Sequence, residues 1–122
     1  MKNAACWFIT IAIVYSVLGM GFGIWMGMNE AFDYRDFHAH INLIGWASFA
    51  IFGLVYRAYP AMAASRLTAF HFWTANLGAI VFIPGIFYVI VTNDMRLVAT
   101  GSIIVLVSQL IFLVNFLRNR NG

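Results

Sequence analysis

The chain has 122 residues, of which 63% are hydrophobic, 17% aromatic and only 9% charged. Ordinary soluble domains carry about 25% charged residues, so a water-soluble globule is excluded; at about 20 apolar residues per crossing, the length suits four membrane-spanning helices and leaves none for a soluble domain. The formal net charge of +3 comes from seven basic residues scattered singly against four acidic ones, with no run or stripe that would track phosphates, so nucleic acid is excluded as a partner.

The first expected span covers residues 4–26, interrupted only by Thr10, Ser16, Gly19, Gly21 and Gly23. Lys2 precedes it as in a signal peptide, but the apolar stretch is longer than the usual h-region of about 7–15 residues and lacks a clean cleavage site. Cys6 has no partner cysteine and reports neither a disulfide framework nor a cysteine-rich metal site. Residues 28–37 gather Asn29, Glu30, Asp33, Tyr34, Arg35 and Asp36 and read as a solvated loop. A second span follows over 37–59, then a short turn over 60–66 that Ser65 closes as N-cap of the third helix. The third span, 67–91, contains Pro84, which a membrane helix tolerates with a kink. A turn over 92–96 leads to the last span, 97–117, and a tail carrying Arg118 and Arg120.

Lys2, Arg57, Arg66, Arg118 and Arg120 fall on one side of this layout, and Arg35, Arg96 and all four acidic residues on the other. Lys and Arg mark the cytoplasmic side. The expectation is an all-α integral protein of the inner (cytoplasmic) membrane with both termini in the cytoplasm and lipid as its immediate surroundings.

Ionisable groups inside spans are costly and are functional candidates by default. Three histidines qualify. His38 and His40 open the second span at the outer surface, and His71 lies a turn into the third near the inner surface, too far away to share a ligand with them. Positions i and i+2 of an α-helix point about 200° apart, so His38 and His40 cannot both reach one ion. A zinc or copper site needs ligands at i, i+3 or i, i+4, and no such set stands in the helix. The pair suits one ligand offered to each of two neighbours, as a haem clamped between histidines requires. The plain alternative is that both are interfacial. His71 is expected to bond a carbonyl of an adjacent helix beside an anchoring Trp73, and Asn42 and Asn76 to act as interhelical hydrogen-bond glue. The three glycines of the first span are expected to admit a close helix or a flat ligand.

His38-Ala39-His40, Gly45, Phe49-Ala50-Ile51-Phe52, Tyr56 and Tyr59-Pro60 resemble the tenth helix of the haem-copper oxidase subunit I superfamily, the terminal oxidases and nitric oxide reductases. His71-Phe72-Trp73, Gly78, Phe82 and Pro84 resemble the helix that follows it there. The resemblance covers residues 37–84. It implies that His38 and His40 are haem ligands, the first of an active-site haem and the second of a low-spin haem in the family. Arg96 resembles a propionate-binding arginine, although Asp94-Met95-Arg96 lacks the family's paired arginines. The family's large subunit has twelve helices in three arcs of four, so the resemblance implies a homotrimer that rebuilds this architecture from three copies. His38 of one subunit and His40 of the next would then clamp one b haem at each interface, with propionates towards Arg96 or Arg35.

The family's copper-ligating histidines and intramembrane carboxylates are missing, so copper is not expected, nor oxygen reduction with proton pumping. Six-coordinate iron has no vacant position for a gas, which points to electron transfer. Three alternatives stay open: a five-coordinate haem that senses or reduces nitric oxide or oxygen, a haem- or copper-handling protein, and a scaffold that binds nothing.

Overall fold

A computed structural model describes all 122 residues. The chain is all-helical, with four helices long and apolar enough to cross a membrane and both termini at the same end of the bundle. These are α1 (Ala4–Met28), α2 (Phe32–Ala58), α4 (Arg66–Thr92) and α5 (Arg96–Asn119), with a single-turn helix α3 (Pro60–Ala63) linking α2 to α4. Proline opens α3, where its missing N–H costs nothing.

Helix α2 begins at Phe32, five residues ahead of the expected start, so Asp33, Tyr34, Arg35 and Asp36 lie in its first turns instead of a loop. Carboxylates there complement the positive end of the helix dipole, which is why a charged stretch folds as helix. The α1–α2 connection shrinks to Asn29, Glu30 and Ala31, with Glu30 at φ 51° to make the tight reversal. Ser65 caps α4 as expected: its hydroxyl accepts from the Leu67 N–H at 3.2 Å. Asn93 ends α4 in the left-handed conformation, its N–H donating to the Val89 carbonyl. The helix continues through Pro84 without interruption.

The interior of α2 was not legible. After an α-helical turn over Arg35–His40 it widens to a π-helix over Ile41–Ser48 and returns to α over Phe49–Ala58. The Ser48 hydroxyl donates five residues back, to the Leu43 carbonyl at 2.7 Å, and so holds the wider turn. Gly45, inside this stretch, lets the Tyr15 ring of α1 lie directly on the backbone. π-turns are rare and cluster at functional positions; this one starts immediately after His40.

The chain packs as two helical hairpins, α1/α2 and α4/α5, joined through α4. The α4/α5 seam is close: Gly78 faces Val105, Gly85 faces Val98, and Gly101 faces the Phe82 backbone. The α1/α2 hairpin closes around Phe8, fully buried, whose ring meets Phe49, Phe52, Tyr56, His71 and Phe72 at centroid distances of 5.1 to 5.6 Å. Lipid tails are as apolar as these side chains, so dispersion contacts and hydrogen bonds hold the helices together, with no hydrophobic drive to help. The remaining large apolar residues, such as Ile24, Leu54, Trp73 and Ile103, face outward, where lipid solvates them.

Candidate functional site

His38 and His40 leave α2 on different sides. The His38 ring seats on bare Gly23 of α1: a Cβ added there would lie 2.6 Å from its Cε1. One turn further along α2, the Asn42 amide takes the matching place over Gly19. His38 is half-buried, and its Nδ1 is enclosed without a hydrogen-bond partner.

His40 turns towards α4, its ring 5.5 Å from that of Phe82 in edge-to-face contact. Its Nδ1 lies 2.7 Å from the Asp36 carbonyl oxygen. A carbonyl only accepts, so Nδ1 is the donor, which in the neutral ring leaves the lone pair on Nε2. Metal-ligating histidines are commonly fixed in this way. His40 therefore has the tautomer of an Nε2 ligand, whereas His38 is held by shape alone.

The two rings thus pack against different helices, and one group cannot take both. No cluster of three His, Cys, Asp or Glu side chains able to hold a metal ion exists in the chain. Bis-histidine haem ligation asks for less, one imidazole on each face of an iron, and rings that diverge in this way meet that demand only by serving different haems.

Arg96 and Arg35 stand at the same end. Arg96 grips Asp94 with its guanidinium fork, Nε to Oδ1 at 3.1 Å and Nη2 to Oδ2 at 2.7 Å, and its backbone N–H donates to Oδ1 at 3.0 Å. These bonds hold the Asp94 carboxyl down at about 2, below the ordinary carboxylate range. The Asp94–Arg96 contact is the only ion pair in the chain. An incoming propionate would have to displace Asp94 from Arg96. Arg35, exposed in the first turn of α2, is free.

His71 belongs to a separate arrangement near the termini. It is fully buried, and its Nδ1 shares a 2.8 Å hydrogen bond with the hydroxyl of Tyr56, itself buried. The expected carbonyl partner is not used. Phe52 stands edge-on to the imidazole at 4.6 Å, Phe8 stacks at 5.1 Å and Phe112 lies at 4.9 Å, which leaves Nε2 enclosed and unpartnered. Close by, the Asn115 amide donates to Thr68 Oγ1 at 3.0 Å, and the Thr68 hydroxyl donates to the Met62 carbonyl at 2.7 Å. Only one trace of this network is local: Gly101, Ser108 and Asn115 recur at seven-residue spacing, and α5 turns that stripe inward. Asn42 and Asn76 do not bridge helices. Each donates to the carbonyl four residues back in its own helix, His38 and Phe72, at 2.8 Å. Of the first-span glycines, Gly19 and Gly23 receive side chains of α2, while Gly21 faces open space.

The chain matches no protein family, no curated protein and no solved structure.

Proposed function

We propose that the chain is a b-type haem protein of the inner membrane that transfers electrons as a homotrimer, each iron ligated by His38 of one subunit and His40 of the next. The observation that carries this reading is the divergence of the two imidazoles: they stand two positions apart and pack against α1 and α4 respectively. A closed ring of identical subunits needs one ligand on each of two faces, and two divergent imidazoles support that arrangement. The resemblance of residues 37–84 to the oxidase helices supports the same roles. Bound haem would supply a one-electron couple tuned by its axial ligands and burial.

The chain's own groups do the rest. The Asp36 carbonyl fixes the His40 tautomer, Gly23 clears the space that His38 occupies, and Arg35 offers a free guanidinium to a propionate. Copper has no part in the proposal. Arg57 and Arg66 lie at the end that holds both termini, and the positive-inside rule puts that end in the cytoplasm.

The test is substitution of each ligand separately. Each haem needs one of each, so His38→Ala and His40→Ala should both abolish the low-spin spectrum of the purified protein. A wild-type spectrum in either variant would overturn the clamp. A surviving five-coordinate haem that binds CO in the wild-type protein would favour gas binding over electron transfer.

A further inference from the structure

Helix α5 is the least enclosed of the four. It meets α4 along Gly101, Ser108 and Asn115, and leaves Ser102 and Gln109 on the adjoining, exposed face. Between that face and α2 lies a cleft of about 280 Å³, lined by Ile44, Ser48 and Phe52 on one side and Ser102, Leu106 and Gln109 on the other. The serines are already committed as donors: Ser48 to Leu43 and Ser102 to Ala99, both at 2.7 Å. The Gln109 carboxamide makes no hydrogen bond within the chain and is exposed. It stands thirteen residues past Arg96 and ten before Asn119, about 20 Å and 15 Å along the axis, which is the middle of the hydrocarbon. Lipid tails offer an amide no partner there, and leaving it unsatisfied is costly.

We propose that this cleft is where a second copy of the chain docks, with Gln109 hydrogen-bonding across the interface. A carboxamide both donates and accepts, so it complements the amide and hydroxyl groups that an identical chain brings. The cleft also runs on from His40: Ile44 and Ser48 follow it along α2 at four-residue steps and line the wall. The side from which the neighbour approaches rests on the proposed function. The need of Gln109 for a protein partner does not involve haem.

The experiment uses the full chain as purified, its haem content read from the optical spectrum, with donor and acceptor dyes on separate populations. Energy transfer is read in phosphatidylcholine vesicles over a range of protein-to-lipid ratios. Gln109→Leu removes no intrachain hydrogen bond and should keep the helical circular dichroism of the wild type while weakening association about 3- to 30-fold, the range for one side-chain hydrogen bond between membrane helices. Gln109→Asn, which keeps the amide, should retain most of the association, and Leu106→Trp, which fills the cleft, should lose it. Undiminished association of Gln109→Leu, or a wild-type protein monomeric at every density, would overturn the proposal. The two readings fail separately. A wild-type protein without haem but with Gln109-dependent transfer would overturn the haem function alone. Haem binding with Gln109-independent transfer would overturn this interface alone.

Discussion

Replacing Gly101 with alanine should open the α4/α5 seam. The added Cβ would lie 2.5 Å from both the backbone nitrogen and the Cα of Phe82, where ordinary contact begins near 3.4 Å, so one helix must retreat by roughly 0.9 Å. Neither neighbouring atom can rotate away, because both are backbone of a continuous helix. Overpacking of a tight core costs about 1–3 kcal/mol, and more where nothing can yield. Against this, alanine gains about 0.5–1 kcal/mol over glycine within a helix. The net expectation is a loss of about 1–2 kcal/mol, a factor of roughly 5–30 in the folded-to-unfolded ratio. Gly21→Ala is the control, since nothing lies within 4 Å of its added Cβ; there the helix propensity acts alone and the change should stabilise slightly. Both variants are to be compared by reversible unfolding in mixed micelles with increasing sodium dodecyl sulfate, followed by circular dichroism. Equal midpoints for Gly101→Ala and Gly21→Ala would refute the reasoning from close helix approach.

Tyr56→Phe strips the buried His71 of its one hydrogen bond and leaves both ring nitrogens unpartnered. It should cost about 1–3 kcal/mol in the same unfolding assay, whereas the double variant Tyr56→Phe/His71→Phe, which removes the orphaned polar atoms as well, should recover much of the loss. A neutral Tyr56→Phe would mean the bond does not hold the two helices. Asp94 should titrate near pH 2 because Arg96 bonds its carboxylate, below the ordinary value of about 3.9 that it takes in the unfolded chain. A depressed native pKa places the contribution of this contact above pH 4, with loss as the pH falls towards 2 and no change between pH 5 and 8. Carbon-13 shifts of the Asp94 carboxyl follow this directly, and Arg96→Gln should return the titration to the ordinary range.

The four crossings were legible because membrane spans are a matter of apolar length, and the even count puts the termini together. The start of α2 was misread because Asp33 and Asp36 look like loop residues, yet acidic side chains suit a helix's first turns. The π-helical stretch over Ile41–Ser48 left no periodic signature, since it arises from Tyr15 packing onto Gly45 and from the Ser48 back-bond. Asn42 and Asn76 misled for a related reason: an asparagine within a helix can reach the carbonyl one turn back, and sequence does not say whether it turns inward or across. The divergence of His38 and His40 did follow from helix geometry alone. Their neighbours did not, because Gly23 and Phe82 are set by tertiary packing. The His71–Tyr56 bond, fifteen residues apart and between two helices, was likewise beyond local pattern.

The most direct test of the haem proposal is a reduced-minus-oxidised optical spectrum of the full protein purified in detergent from cells with ample haem supply, with haem quantified against protein and CO added afterwards. One low-spin b haem per chain, with sharp α and Soret bands indifferent to CO, is the predicted result; a colourless protein, or a large CO-induced shift, would contradict it.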